Sequence, residues 1–209
     1  MAHLLLVRHA KSKWNATGQW TGWTDIELSE EGVVEAKRAG EALRDIEIHK
    51  AYASDLKRAT QTLDHIKVTL GKEIETETDP ALRERSYGIY TGKNKWEVKE
   101  QVGDAEFKKI RRSWDHPIPE GESLKDVYTR VVPYFEKHIL PDLKMGKNVL
   151  VSAHGNSLRA LMKKLDNISD EAICDLEVGT GEIHCYSFDK EGKVTGKEIR
   201  AANPDKLKV

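Results

Sequence analysis

The sequence predicts an α/β protein of three layers, in which a mostly parallel central sheet is flanked by helices. Short, continuous apolar runs carry this prediction, because strands buried on both faces of a sheet read in this way. Stretches with helical periodicity lie between those runs, and such alternation is typical of α/β folds. The 209 residues, with a mass of 23.7 kDa, suit one domain with a sizeable core. We therefore expect a single domain over residues 1–209, with a mobile C-terminal tail over residues 199–209.

Four stretches are candidates for the strands of the sheet. Residues 4–7 and 148–151 are short apolar runs, and each is far too short to cross a bilayer. Residues 51–53 and 183–188 are weaker candidates. In open α/β sheets, ligands bind beyond the carboxyl ends of the strands, so the residues that follow each strand are the first candidates for a site.

Helical periodicity occurs in three stretches between the strands. Ser29 is a candidate N-cap, and the two glutamates that follow it suit a helix N-terminus. Pro133 is expected to kink the second helix. The positions that share one face are Val33, Ala36, Gly40 and Leu43 in the first helix, Leu124, Val127, Val131, Tyr134 and Phe135 in the second, and Leu158, Leu161, Met162 and Leu165 in the third.

Charge and cysteine content exclude several classes of protein. The 34 basic and 35 acidic residues leave a formal net charge of −1, so bulk charge favours neither a nucleic-acid nor a membrane partner, and we expect neither. Cys174 and Cys185 are the two cysteines, which excludes a disulfide scaffold. The N-terminal segment shows no secretory signal, and we therefore expect a cytoplasmic protein.

Histidines and arginines follow three of the predicted strands. Arg8 and His9 end the first strand, Arg58 opens the helix after residues 51–53, and His154 follows residues 148–151. Parallel strands bring their carboxyl ends to one edge, where helix N-termini favour anions. Arginines, histidines and helix N-termini at one edge predict a phosphate pocket.

These residue types fit phosphoryl transfer through a histidine. A histidine nitrogen can attack phosphorus and hold the group as phosphohistidine, while fixed cations stabilise the spreading charge without a metal. Glu84 is the candidate acid for the leaving oxygen. The alternative of a zinc site at His9, His154 and Glu84 is disfavoured, because the three lack local ligand spacing and lie among arginines.

A series of motifs extends this pattern along nearly the whole chain. The motifs are Leu-Val-Arg-His at 6–9, Ser-Lys-Trp-Asn at 12–15, Thr-Gly-Trp at 21–23, Leu-Lys-Arg-Ala at 56–59, Arg-Glu-Arg-Ser-Tyr-Gly at 83–88, Gly-Lys-Asn-Lys at 92–95, Arg-Arg at 111–112 and Ala-His-Gly-Asn-Ser-Leu-Arg-Ala-Leu at 153–161. The series resembles the cofactor-dependent phosphoglycerate mutases of the histidine phosphatase superfamily. Residues 117–123 follow the double arginine closely, where a longer form of these enzymes carries an insertion. The chain therefore resembles the short form, and this leaves open whether it is a homo-oligomer.

The resemblance implies an activity and a set of site residues. It implies interconversion of 3-phosphoglycerate and 2-phosphoglycerate, in glycolysis and gluconeogenesis, with 2,3-bisphosphoglycerate as the priming phosphoryl donor and no metal. It also implies that His9 is phosphorylated, that Glu84 is the general acid and base, and that Arg8, Arg58 and His154 hold the phosphoryl group. The implied substrate-binding residues are Ser12, Asn15, Thr21, Gly22, Arg85, Tyr87, Lys95, Arg111, Arg112, Gly155 and Asn156.

Two other functions are compatible with the same residues. A phosphatase of the superfamily, acting on a small phosphorylated metabolite, is the main alternative. A regulatory module that binds a phospho-ligand without turnover would be expected to lack His9, Glu84 or His154, and all three are present.

The chain departs from the mutase pattern beside the nucleophile. Ala10 and Lys11 replace the usual Gly-Glu, and Lys11 is expected to strengthen the attraction of anions. Trp20 and Trp23 are expected to pin a long loop onto the core rather than to line the mouth of the site.

Overall fold

The computed structural model describes residues 1–203 and has a six-stranded central sheet with the strand order β3-β2-β4-β1-β5-β6. The four strands β3, β2, β4 and β1 are parallel, and β5 and β6 are antiparallel additions at one edge. The strands are β1 (Ala2–Arg8), β2 (Lys50–Ala53), β3 (Thr76–Thr78), β4 (Val149–Ala153), β5 (Ile183–Phe188) and β6 (Val194–Arg200). The predicted α/β class is confirmed.

Helices cover both faces of this sheet. The longer helices are amphipathic, and their apolar faces pack on the strands. The α-helices are α1 (Lys13–Ala16), α2 (Glu30–Glu41), α3 (Lys57–Leu70), α4 (Lys95–Arg112), α5 (Leu124–Tyr134), α6 (Leu140–Lys144) and α7 (Gly155–Leu165). A π-helical turn, Phe135–Ile139, joins α5 to α6.

Two apolar cores lie on opposite faces of the sheet. Successive residues of a strand point to opposite faces, so β1 divides its side chains between the cores. Leu4 and Leu6 join the core formed with α5 and α7, whereas Leu5 and Val7 join the core formed with α2 and α3. All four side chains are fully buried. Strand β1 is therefore held on both sides, which fixes the position of the residues that follow it.

Local capping explains where two of the helices begin. Ser29 accepts a hydrogen bond from the Gly32 N–H, as its predicted N-cap role requires. Ser123 and Asp126 form a reciprocal capping box at the start of α5. Pro133 lies inside α5 and has no N–H to donate, so it interrupts the hydrogen-bond ladder of the helix. The helix passes directly into the π-helical turn after this point.

The C-terminal segment differs from the prediction. Ile199 and Arg200 belong to strand β6, so the prediction of a mobile tail from residue 199 is wrong for them. Asn203 is buried, and its side-chain amide donates to the Thr180 carbonyl at 2.9 Å. Residues 204–209 of the predicted tail lie outside the described residues. Within the described part of the chain, no helix combines the length and apolarity needed to cross a membrane.

Candidate active site

The carboxyl ends of β1, β2 and β4 bring the predicted histidines and arginines together. Parallel pairing aligns Arg8 with Ala153, so His9 and His154 emerge side by side. Their ring centroids are 4.9 Å apart with the planes tilted by 57°. Arg58 opens α3, the helix after β2, and is fully buried. The sheet edge therefore assembles four of the five predicted catalytic residues, as the order of strands and motifs predicts.

His9 has one ring nitrogen free for reaction. Its Nδ1 lies 2.8 Å from the Ala10 carbonyl oxygen, which can only accept, so Nδ1 carries the proton. Burial lowers the pKa of His9 well below the usual histidine range, and the Arg58 and Arg8 guanidinium groups lower it further. The ring is therefore neutral at neutral pH, and Nε2 presents the lone pair that a nucleophile needs.

The groups around His9 form a cradle of unused donors. Arg58 is anchored by hydrogen bonds to the carbonyls of Gly22 and Thr24, at 2.8 and 3.0 Å, and Arg8 by one to Val178 at 2.7 Å. These anchors leave one nitrogen, Nε, of each arginine buried and without a hydrogen-bond partner among residues 1–203. The same holds for Thr21 Oγ1 and both ring nitrogens of His154. Buried polar groups are normally paired, so this set fits a phosphoryl group.

Burial sets the charge of the cradle. It lowers the pKa of Arg58 to about 10, which still leaves this guanidinium charged at neutral pH. It also lowers the pKa of His154 well below the usual range, and Arg58 adds to that effect. The cradle thus combines charged arginines with neutral histidines.

Glu84 is held in one orientation above this cradle. Its Oε1 accepts from the backbone N–H groups of Arg85 and Asn156, at 2.7 and 3.1 Å, and from Asn156 Nδ2 at 2.9 Å. Its backbone carbonyl accepts from Trp23 Nε1 at 2.7 Å and from Arg130 at 2.9 Å. Because three donors occupy Oε1, Oε2 is the oxygen left to exchange a proton.

The cavity has two adjoining ends. Five residues line both of them: Arg8, Trp20, Glu84, Tyr87 and Lys95. The end that we call the histidine end also contains His9, Asn15, Gln19, Thr21, Gly22 and Arg58. The end that we call the arginine end also contains Arg111, Arg112, Gly155, Asn156, Arg159, Glu177 and Val178. The two ends adjoin at these shared residues, and they have the groups for a phosphoryl group on one side and for a further anion on the other.

Lys95 lies where the two ends meet. It is the first residue of α4 and is 7 % exposed. Burial lowers its pKa to about 7, and the nearby Arg111, Arg8 and Arg112 lower it as well. An anion bound between these groups would restore the ordinary, protonated state of Lys95.

The last turn of α4 supplies the cations of the arginine end. Arg112 forms an ion pair with Glu177. The Arg111 guanidinium lies 5.5 Å from the centre of the Phe107 ring. Arg159 of α7 reaches the same place, donating to Asn156 Oδ1 at 2.8 Å and to the Arg112 carbonyl at 3.0 Å. Burial lowers the pKa of Arg159 to about 9.

Comparison with known proteins assigns the family. The profile of the histidine phosphatase superfamily (branch 1) matches residues 4–198. The chain belongs to the histidine phosphatase superfamily. Within it, the chain is 42% identical to a 2,3-bisphosphoglycerate-dependent phosphoglycerate mutase of Lactobacillus johnsonii, over 95% of this chain and 98% of the relative. It is 44% identical to the enzyme of the same name from Parvibaculum lavamentivorans, over 94% of this chain and 95% of the relative. The resemblance predicted from the sequence is confirmed.

Solved structures of the superfamily share the fold. A mycobacterial hydrolase superposes with a TM-score of 0.83 at 23% identity, over 97% of this chain and 100% of that chain. A mycobacterial glucosyl-3-phosphoglycerate phosphatase gives 0.82 at 23% identity, over 95% and 97%. The phosphoglycerate mutase of Bacillus anthracis gives 0.73 at 26% identity, over 93% and 90%. The six-stranded α/β fold is thus shared by phosphatases and a mutase.

Three predicted site residues of this superfamily member do not line the cavity. Ser12 is buried and caps α1 through its hydrogen bond with Asn15. Arg85 lies behind the cavity-lining Tyr87, with its guanidinium 4.7 Å from the centre of that ring, and it donates to the Ile110 carbonyl at 2.7 Å, near the end of α4. His154 is fully buried against the His9 ring. The other predicted residues line one end or both.

The expectations for the residues that follow His9 and for the tryptophans are partly wrong. Lys11 turns outward and pairs with Glu31 at 2.8 Å, so it adds no cation to the cavity lining. Trp20 is 1 % exposed and packs in an apolar cluster, as expected, but it also lines both ends of the cavity. Trp23 is 46 % exposed and holds the Glu84 carbonyl instead of packing in the core.

Two residues that line the arginine end were missed in the sequence. Arg159 follows Asn156 by three residues on α7, a spacing that places both on one helix face and could have revealed it. Glu177 lies in the irregular segment before β5, and nothing in its sequence neighbourhood marks it. Among residues 1–203, no group of three or more histidine, cysteine or acidic side chains is arranged to hold a metal ion.

Proposed function

We propose that this protein interconverts 3-phosphoglycerate and 2-phosphoglycerate through a phosphohistidine at His9. The observation that carries the proposal is the cavity with two adjoining ends, one built for a phosphoryl group and one lined by Arg111, Arg112 and Arg159. Release of phosphate requires only the first end. A mutase must also hold the carboxylate and the second phosphoryl position of its substrate, and the arginine end supplies cations for that purpose.

His9 performs the transfer in this proposal. Its Nε2 attacks phosphorus, the bond to the leaving oxygen breaks, and the group remains on the ring as phosphohistidine. The free Nε nitrogens of Arg8 and Arg58 bind the equatorial oxygens, and the unpartnered His154 ring adds a further polar group beside them. Charge that develops on these oxygens is therefore met by groups already in position.

Glu84 moves the proton. Its Oε2 donates to the leaving hydroxyl oxygen as the bond to phosphorus breaks, and it takes the proton back when a hydroxyl of the phosphoglycerate attacks the phosphohistidine. Asn156 keeps the carboxyl group pointed at this place by holding Oε1. Starting from phosphorylated His9, the free hydroxyl of 3-phosphoglycerate takes up the phosphoryl group, which leaves His9 free and a bisphosphorylated compound in the cavity. His9 then takes the phosphoryl group from position 3, so that 2-phosphoglycerate leaves and His9 is phosphorylated again.

The protein fits 2,3-bisphosphoglycerate as the priming donor. When bound, this compound supplies the phosphoryl group that first loads His9. The cradle at the histidine end takes one phosphoryl group, and Lys95 with the arginine end can take the remaining anions. Trp20 and Tyr87 wall the junction of the two ends and limit the access of water to the phosphohistidine.

A phosphatase is the second candidate function. Structural neighbours with phosphatase activity in their names share the fold, and a cradle at His9 would serve hydrolysis equally well. The arginine end favours the mutase, because hydrolysis of a simple phosphate monoester does not need a second set of cations. We also propose a cytoplasmic location.

The test follows both products in one assay. Purified protein is given 3-phosphoglycerate with a chelator, with and without a trace of 2,3-bisphosphoglycerate, while 2-phosphoglycerate and free phosphate are measured. We expect isomerisation that depends on the trace compound, with little free phosphate, and none with His9→Ala. Steady release of phosphate without isomerisation would replace the mutase by the phosphatase.

A further inference from the structure

A second carboxylate, Glu177, lies inside the arginine end. It forms an ion pair with Arg112, and the two side chains are 14% and 20% exposed. Among residues 1–203 this is the one hydrogen bond or ion pair of the Glu177 carboxylate. A carboxylate is unexpected in a site for anions, because it neutralises a cation that the ligand would otherwise use.

The position of Glu177 separates it from the reacting atoms. Glu84 lines both ends of the cavity, whereas Glu177 lines only the arginine end, which does not include His9. Glu84 is also the carboxyl group that the surrounding amides orient. Glu177 is therefore placed to affect the second anion of the ligand and not the proton transfer.

The field of Glu177 extends to the other arginines of this end. Burial lowers the pKa of Arg111 and that of Arg159, and the Glu177 carboxylate opposes this effect at both guanidinium groups. The same carboxylate that stabilises these charges reduces the positive potential that an incoming anion meets.

We propose that Glu177 is a specificity determinant that competes with the second anionic group of the ligand for the Arg112 guanidinium. A ligand with one phosphate at the histidine end does not meet this competition. A ligand that also carries a carboxylate or a second phosphate must displace Glu177 from Arg112 or share that guanidinium with it. The proposal rests on the proposed function in taking a phosphoglycerate as the ligand with two anions.

The competition has a use in turnover. A site that grips both anions at full strength would bind substrate and product tightly without favouring the transition state, and release would become slow. By lowering the affinity at the arginine end, Glu177 allows the bound compound to leave Arg112 and present its other oxygen to His9.

The test compares two ligands that differ by one anionic group. Glycerol 3-phosphate carries a hydroxymethyl group where 3-phosphoglycerate carries its carboxylate. Dissociation constants are measured by calorimetry in a His9→Ala background, with and without Glu177→Gln. We expect Glu177→Gln to lower the constant for 3-phosphoglycerate about tenfold, since a charge-assisted competitor is lost, and to change that for glycerol 3-phosphate less than about twofold.

Asp55→Asn is the matched control. Asp55 pairs with Arg83 at 2.6 Å, the two side chains are 31% and 30% exposed, and neither residue lines the cavity. The substitution removes the same charge without touching the arginine end, so both dissociation constants should stay unchanged. Glu177→Ala is a second variant, and it should also bind 3-phosphoglycerate more tightly than the parent protein.

The outcomes separate the two proposals. Weaker or unchanged binding of 3-phosphoglycerate in both Glu177 variants would overturn the proposed competition. An equal gain in affinity for both ligands would overturn it as well. If wild-type protein isomerises phosphoglycerate in that case, the proposed function stands. If the Glu177 variants bind only 3-phosphoglycerate more tightly and the wild-type protein shows no isomerisation, the competition is supported and only the proposed mutase function is overturned.

Discussion

Lys95 should make the binding of phosphoglycerate fall steeply as the pH rises. Its pKa is lowered to about 7 by burial and by neighbouring arginines. A bound anion raises that pKa again, so binding takes up a proton whenever free Lys95 is neutral. The protonated form predominates below pH 7 and is lost above it. Affinity is therefore highest at the acidic side of this point and decreases toward pH 8.5.

The size of the effect follows from the protonated fraction. At pH 7 about half of free Lys95 carries the proton, and at pH 8.5 about 3% does, which predicts an increase of about 15-fold in the dissociation constant. The ligand phosphate, with a second pKa of about 6, stays dianionic over this range. Arg159, whose pKa is about 9, adds less than about twofold by the same arithmetic.

Calorimetry on His9→Ala protein measures this dependence without turnover. The dissociation constant of 3-phosphoglycerate is determined between pH 7 and 8.5 at constant ionic strength, and proton uptake is read from buffers with different ionisation enthalpies. Lys95→Arg keeps the charge over the whole range and should reduce the change to less than about threefold. An equally steep dependence in Lys95→Arg, or no proton uptake in the parent protein, would refute the reasoning.

Three further substitutions test the support of the site. Asn156→Ala removes a donor to Glu84 Oε1, and kcat should fall about 10- to 100-fold with a smaller change in KM; an unchanged kcat would contradict the assigned orientation. Trp23→Phe removes one hydrogen bond to the Glu84 backbone, worth about 1 kcal/mol, so kcat should fall less than in Asn156→Ala. A larger loss of kcat in Trp23→Phe would contradict the view that Asn156 contributes more to the orientation of the carboxyl group. Gly88→Ala places a Cβ 1.9 Å from the Pro119 carbonyl at a φ of +47°, and urea unfolding should show a loss of about 3 kcal/mol or more; an unaltered midpoint would disprove the clash.

The central strands could be predicted from the sequence because they are buried on both faces. Residues 4–7 and 149–151 are continuous apolar runs, and both lie in neighbouring strands of the sheet. The edge strands could not be predicted in this way. Thr76–Thr78 is largely exposed, and Val194–Arg200 alternates with polar residues, so neither carries an apolar run. Because the rest of this strand is largely polar, the sequence alone predicts the start of a tail at its end, at residues 199 and 200.

The histidine end of the cavity was more predictable from the sequence than the arginine end. Residues such as His9 and Arg58 follow strands, and strand order alone collects them at one edge. The arginine end is built from the end of α4, from α7 and from the segment that holds Glu177, and their contact depends on helix packing. A motif alone does not show where a side chain goes. Arg85 lies in the motif at 83–88, but its guanidinium donates to carbonyls of α4 and does not line the cavity.

Two buried arginines connect Glu84, the proposed proton donor, to helix α4, which carries Arg111 and Arg112 of the arginine end. The Arg85 N–H holds Glu84, while the guanidinium of the same residue holds the last turn of α4. Arg159 makes the equivalent connection between Asn156 and that turn. An inhibitor that pushes α4 outward would therefore also turn the carboxyl group away from the leaving oxygen. Bulky compounds directed at the arginine end should thus inactivate the enzyme without touching His9, and resistance would require changes in both elements.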